Sequence, residues 1–238
     1  MIQGVYTSAS GMVAHQTRMD ILANNLANVD TPGFKADLVT IDQSAIPANL
    51  MSTPLAPMST VEVGRPGLNL APGVLKTTGN PLDLAIVGPG LFVVETPQGE
   101  RYTRAGNFVR NAEGFLATPE GFRVLGAEGP VQVPDSGFRV DSNGRLSEGG
   151  SLRFVGGDSL DGLMKAGGTL FAVVDGAQPP PDLPEATVVQ GQLEGSNVSV
   201  VMSMVEMLAT MRTYEAYQKT IQSLDQTVGQ AANELGRV

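Results

Sequence analysis

Apolar residues recur every seven positions in two segments at opposite ends of the chain, and this spacing restricts the fold more than any other feature. Near the start, Val5, Met12, Met19 and Leu26 fall at sevens, with Ala9, Leu22, Ala23 and Val29 in the intervening turns. Near the end, Val200, Met207, Tyr214, Ile221, Val228 and Leu235 repeat the interval, with Met204, Met211, Leu224 and Ala231 between them. A heptad keeps one narrow stripe of a helix against a partner, because underwinding to about 3.5 residues per turn holds the seam in contact. The spacing predicts a helix over Ile2–Val29, stopped by Asp30-Thr31-Pro32-Gly33. It predicts a second running to about Glu234, with Ser196 or Asn197 as its N-cap and Gly236 beyond its end. At roughly 36 residues that helix would be about 54 Å long, too long to hide its stripe on a domain of this size. Each helix therefore needs a companion: the other terminal helix first, and copies in neighbouring subunits next.

Between the helices the pattern changes twice. Residues 34–73 are rich in Pro, Met, Ser and Ala, including Pro47, Pro54, Pro57, Pro66 and Pro72, and show no sustained period. They read as an extended connector. From Val74 short apolar runs alternate with turn signals. Leu82–Val87 and Leu91–Glu95 flank Gly88-Pro89-Gly90, and Pro97–Glu100 turns before Arg101–Arg104. Asn111–Gly114 separates Phe108-Val109 from Phe115-Leu116, and Asn143-Gly144 between Phe138–Val140 and Leu146 is the strongest hairpin signal. Leu170–Val174 is a further strand, with a return run at Thr187–Val189 after three prolines. The expected fold class is α+β: long N- and C-terminal helices pairing as a coiled coil, with a central, mostly antiparallel β domain of barrel or sandwich type. The expected divisions are 1–33 for the first helix, 34–73 for the connector, 74–190 for the β domain and 191–238 for the second helix.

Composition removes several functions. A net charge of −9 with 15 scattered Lys and Arg argues against nucleic-acid binding, which needs clustered cations. With no Cys there is no disulfide framework, thiolate metal site or Cys nucleophile, and a single histidine, His15, makes a multi-histidine metal site impossible. No cofactor is expected. No apolar run is long enough to span a membrane. The first residues lack a basic region followed by an apolar one, so no Sec signal peptide is expected, and by those rules alone the chain reads as cytoplasmic.

Three blocks of residues resemble a known family. Ala23-Asn24-Asn25-Leu26-Ala27-Asn28 followed by Thr31–Lys35 is similar to the N-terminal signature of bacterial flagellar basal-body rod and hook proteins. Leu193–Val198 with Glu206-Met207 and Arg212, Tyr214, Glu215 and Ala216 resembles the family's other end. Thr78–Ile86, Gly90–Phe92 and Tyr102–Phe108 resemble the region shared by the longer rod proteins and the hook. Within the family, Tyr102–Phe108 looks like the distal-rod member, while the brevity of the chain and the stretch after Lys35 favour the proximal-rod member of intermediate length. The resemblance implies an axial protein built into the helical drive shaft, with terminal helices around the export channel and the β domain outside. It also implies export unfolded by the flagellar type III apparatus without a cleaved signal, and work in the periplasm. The implied partners are copies of itself, neighbouring rod and hook-family axial proteins and the export apparatus, with no nucleic acid and no membrane insertion.

The candidate assembly residues are Val5, Met12, Met19, Leu22, Asn24, Asn25, Leu26, Asn28, Met207, Met211, Tyr214, Ile221, Leu224, Val228 and Leu235. Asn24, Asn25 and Asn28 read equally as helix C-capping groups and as bridges between subunits. The methionines at 12, 19, 202, 204, 207 and 211 read first as adaptable packing. Gly33 is expected to supply a backbone angle that larger residues resist. Arg212, Glu215 and Glu206 are expected to set register between neighbouring helices, each exposed pair being worth about 0–1 kcal/mol.

Catalytic readings are weaker. Asp141, Asn143 and Glu148 imitate a calcium loop at too short a spacing, so a hairpin turn is favoured. Gly88-Pro89-Gly90 lacks the Lys and helix of a phosphate loop, and His15 lacks a nucleophile motif. A carboxylate pair from Asp83, Glu95 and Glu100 imitates a glycosidase site. A hydrolase and a polysaccharide-binding module on a coiled-coil stalk are therefore the alternatives to a self-associating rod subunit, the second disfavoured by only 12 Phe and Tyr and no Trp.

Overall fold

The computed structural model describes residues 2–39, 41–45, 59–63, 67–134, 137–147, 149–156, 162–184 and 186–235. Pro47, Pro54, Pro57, Pro66, Glu148 and Gly236, named above, lie outside them. The chain divides into two compact units: residues 1–27, 37–68 and 199–238 form one, and 28–36 with 69–198 form the other.

The first unit holds α1 (Ile2–Ala27), β1 (Asp37–Leu38), β2 (Ile41–Ala45), β3 (Ser59–Val63) and β4 (Gly67–Leu68). Its last element, after all the strands of the chain, is the 36-residue helix Val200–Leu235, α2. α1 stops at Ala27, two residues before the expected Val29, and Thr31 N–H bonds the Asn28 carbonyl at 3.2 Å in the turn leading to Pro32. The position before a proline is pushed out of the helical region, which ends the helix early. At the start of α2, the Ser203 N–H donates to the Ser199 carbonyl, so the cap falls at Ser199 and not at Ser196 or Asn197. Asn197 is unavailable because its amide is used elsewhere, as described below. Within the stretch read as a connector, β2 pairs antiparallel with β3, Ile41 opposite Val63 and Ala45 opposite Ser59, and β1 pairs with β4. α1 lies against both α2 and β3.

The second unit is all β. It runs β5 (Leu75–Thr77), β6 (Leu84–Val87), β7 (Leu91–Thr96), β8 (Gly99–Thr103), β9 (Val109–Arg110), β10 (Leu116–Ala117) and β11 (Arg123–Gly126). It continues with β12 (Gly129–Pro130), β13 (Phe154–Val155), β14 (Leu163–Gly167), β15 (Leu170–Val173), β16 (Thr187–Gln190) and β17 (Gln192–Glu194). The main sheet has the order β14-β15-β8-β7-β11-β10-β9, with β12 on β11 and β13 on β7, while β16 pairs β6 and β17 pairs β5. The assigned strand pairs are antiparallel. The run at Thr187–Val189 does not return onto β15, because β14 and β8 already occupy both edges of that strand. β14, with Met164 and Lys165 inside it, carries no clear alternation and was not legible as a strand.

The core gathers Phe92 and Val94 of β7, Leu84 and Ile86 of β6, Val188 of β16, and Phe108, Leu116, Val124 and Phe154. Phe92 meets Phe108 edge to face at 5.0 Å and Phe154 at 5.7 Å. Each such side chain fully removed from water contributes about 1.5–3 kcal/mol, so this cluster is the main source of the unit's stability. The turns fall where the sequence marks them: Gly144 N–H closes on the Asp141 carbonyl at 3.0 Å, and the Asp141 carboxylate accepts from Asn143 and Arg145 N–H. Asp141 thus spends its carbonyl oxygen and Oδ1 on its own hairpin.

Candidate functional site

The helix pair is the first feature with functional content. Along α2 the row Ser203, Met207, Thr210, Tyr214, Tyr217, Ile221 and Leu224, alternating four and three residues apart, is half-buried or buried, and Thr213 beside it is half-buried as well. That is a heptad row, the face a helix keeps against one partner. Thr210 is buried at little cost because its hydroxyl donates to the Glu206 carbonyl at 2.8 Å. The partner is α1, running the other way: Gly4 lies by Leu224, Gly11 by Tyr217, and Arg18 by Glu206 at 3.8 Å. Glu206 thus faces Arg18 across the helix pair, whereas Arg212 and Glu215 are exposed. His15 places its ring 5.6 Å from that of Tyr217, and its Nδ1 is buried with no hydrogen-bond partner among the described residues. Burial, then the nearby Arg18, hold the His15 pKa below its ordinary value, so the ring is a neutral packing group in the seam.

The candidate residues fall on several faces. Met207, Tyr214, Ile221 and Leu224 lie in the α2 row, while Met211 and Val228 are exposed. Met12, Met19 and Leu26 are half-buried, and Leu22 is buried. Val5 and Leu235 belong to α1 and α2, with side chains outside the described residues. Asn25 is buried and binds the backbone of Asp37 in both directions, donating from Nδ2 to its carbonyl and accepting from its N–H, each at 2.9 Å. It acts as a substitute strand edge for β1. Asn28 accepts the Thr31 hydroxyl at 3.2 Å, tying the turn after the helix, and Asn24 is exposed.

The second feature, in the β unit, joins all three motif blocks at one buried carboxylate. Glu194, at the end of β17, is 2% exposed. Its Oε1 accepts from the Lys35 ammonium at 2.6 Å and from the Gly73 N–H at 2.8 Å, and its Oε2 accepts from Arg104 Nε. Arg104 directs three further donors to the carbonyls of Ile86, Gly88 and Gly90, stapling the turn between β6 and β7. Lys35 also donates to the Ala71 carbonyl at 2.8 Å, and the Gly33 N–H donates to the Glu194 carbonyl at 2.7 Å. Asn197 completes the junction, accepting from Ala36 N–H and donating to the carbonyls of Asn69 and Ala71.

Two cations against one anion explain the electrostatics. Burial alone would raise the Glu194 carboxyl, but the Gly73 N–H, Lys35 and Arg104 outweigh it and hold its pKa below the ordinary value. Burial lowers the Lys35 ammonium, with Arg104 adding repulsion, in spite of the attraction of Glu194. Removing the Glu194 carboxylate costs about 3–5 kcal/mol, because it leaves two buried cations without their anion. Sequence reading marked the blocks but not these three side chains, which lie 159 and 90 positions apart in their two pairings.

The carboxylates considered for hydrolysis are engaged in strand and turn contacts. Asp83 bridges Asn107 and accepts from Asn80, while Glu95 and Glu100 face each other across β7 and β8, with Glu100 held by Arg153 at 3.0 Å. Among the described residues no group of three His, Asp or Glu stands close enough to hold a metal ion, and no helix is long and apolar enough to cross a membrane.

Comparison with known proteins matches both ends and the middle of the chain. Residues 5–35 match the flagella basal body rod protein family, residues 85–148 the flagellar hook protein FlgE/F/G D1 domain, and residues 189–235 the flagellar basal body rod FlgEFG protein C-terminal family. The chain is 30% identical to the flagellar basal-body rod protein FlgG of Bacillus subtilis over 98% of its own length and 99% of that protein. It is 33% identical to FlgF of Caulobacter vibrioides over 100% of both chains, and 32% identical to FlgF of Salmonella typhimurium over 97% of each. With its two ends and its middle matched in order and its whole length aligned, the chain belongs to the flagellar basal-body rod proteins, a family of structural subunits and not of enzymes.

Proposed function

We propose that this rod protein polymerises through α1 and α2 into the periplasmic drive shaft that transmits torque and encloses the export channel. The observation that carries polymerisation is the outer face of α2. Val201 (70% exposed), Met204, Val205, Leu208 (59%) and Met211 stand in water at helical spacing, on a face other than the row packed on α1. Each of these side chains would gain about 1.5–3 kcal/mol if fully buried, so a contiguous stripe of them favours a neighbouring subunit. Copies of the same chain and adjoining rod and hook-family subunits are the partners. The flagellar type III apparatus delivers the chain without a cleaved signal. In this reading the row Val5, Met12, Met19 and Leu26, with Asn24 and Asn28, belongs to contacts between subunits.

Within the family the chain is the proximal-rod member. Relatives named FlgF and FlgG match at similar identity, so this choice rests on the chain's brevity and on the stretch after Lys35. Tyr102–Phe108 supports the distal member as the alternative.

The test of polymerisation is Leu208→Asp or Val205→Asp in the full-length chain. Because both side chains are already exposed, circular dichroism and melting of the dilute protein should stay unchanged, while assemblies seen by sedimentation and electron microscopy should disappear. Normal assembly by a charged variant would end the proposal. Motility rescue separates the paralogues: the chain should restore swimming to a strain lacking its proximal-rod subunit and not to one lacking its distal-rod subunit.

A further inference from the structure

Glu194 binds three segments that are remote in sequence, and each does so through a different bond to one side chain. The stretch after α1 contributes Lys35 to Oε1, the lead into β5 contributes the Gly73 N–H to the same oxygen, and the loop after β8 contributes Arg104 to Oε2. The Glu194 backbone carbonyl takes the Gly33 N–H as well. We propose that this cluster is a charge-held latch, which docks the segment leaving α1 and the segment leading to α2 onto the β unit in one cooperative step.

The cooperativity follows from the charges. Lys35 and Arg104 are the charged groups facing Glu194, and both are buried. Without the carboxylate they would confront carbonyl dipoles and each other in a site closed to water, an arrangement that cannot persist. Arg104 is pinned by three carbonyls of the β6–β7 turn, whereas Lys35 has one other acceptor, the Ala71 carbonyl, and is the group that leaves. Its departure takes the Gly33 N–H from the Glu194 carbonyl and the Ala36 N–H from Asn197. Asn197 clasps Asn69 and Ala71 in the same place, so releasing one segment loosens the other two. The pull of Gly73, Lys35 and Arg104 on the carboxyl keeps the latch closed above the ordinary Glu value of 4.5, and it opens as pH falls through the lower folded-state value.

Amide hydrogen exchange on the full-length protein tests this. In Glu194→Gln, exchange at Gly33, Ala36, Gly73 and Gly195 should quicken together by at least about ten-fold, while the β7 amides stay protected. Lys35→Met provides the independent arm, because it leaves the Glu194–Arg104 pair intact and so decides the matter even if Glu194→Gln fails to fold. It should quicken exchange at Gly73 and Gly195, neither of which bonds Lys35. Faster exchange confined to Gly33 and Ala36 in that variant, or no change in Glu194→Gln, would overturn the latch.

Discussion

Gly33 holds φ at +68°, and a Cβ there would stand 2.2 Å from the Ala105 nitrogen. The left-handed angle alone costs an L-residue about 1–2 kcal/mol, and the overlap with backbone cannot be relieved by turning a side chain. Gly33→Ala should therefore lower unfolding free energy by at least about 2 kcal/mol in denaturant titration. His15 makes a different prediction, in pH. Its folded-state pKa lies below the unfolded value of 6.5, through burial and Arg18. The folded state thus binds fewer protons than the unfolded one, and stability is full above the unfolded value and declines as pH falls through it towards the folded value. Helix pairing followed by circular dichroism should weaken as pH drops below about 6.5, and His15→Gln should remove that dependence. A wild-type protein with the same helix signal at pH 5 and pH 8 would show that the ring has room to accept its proton.

The helices themselves show which parts of the fold a sequence can reveal. On α2 the row Met207, Tyr214, Ile221 and Leu224 is both apolar and the face toward α1, so its period was legible. On α1 the contacts toward α2 come from Gly4, Gly11, His15 and Arg18, one position or more from the Met12 and Met19 row, and no apolar pattern marks them. There the packing depends on absence: the Tyr217 ring fills the space that Gly11 leaves. Two glycine substitutions separate propensity from packing. Gly229→Ala in α2 meets nothing within 4 Å, so it should raise helix stability by the full intrinsic preference, about 1 kcal/mol. Gly11→Ala gains the same preference but sets its Cβ 2.8 Å from the Tyr217 Cζ, forcing the ring off His15. Overpacking of this kind costs about 1–3 kcal/mol, enough to reverse the sign. Thermal melts should place the first variant above wild type and the second below it; a rise in both would mean that the ring swings aside freely. The Glu194 cluster was illegible for another reason. A single Lys, Arg and Glu inside three separate motifs carry no period, and only the fold brings them to one point.

The division into two units gives the chain two kinds of stability. The β unit has its own core around Phe92, Phe108 and Phe154, with the buried charge cluster at its margin. The helical unit relies on the seam between α1 and α2 and on the contact of α1 with β3, and its outer α2 stripe is left to water. Met207, Tyr214, Ile221 and Leu224 in the seam are half-buried where the β core is buried, so the helices should unfold locally first. Trypsin can read that order from three of its sites. Arg212 and Lys219 are exposed on α2, whereas Lys35 is 1% exposed and paired with Glu194. In dilute protein, cleavage after Arg212 and Lys219 should precede cleavage after Lys35 by at least about ten-fold in time, leaving a fragment that spans the β unit. In assembled protein, burial of the α2 stripe should slow cutting at Arg212 and Lys219. Equal rates at all three sites in the dilute chain would mean that both units open together, and that the helices stay closed as firmly as the β core before any neighbour arrives.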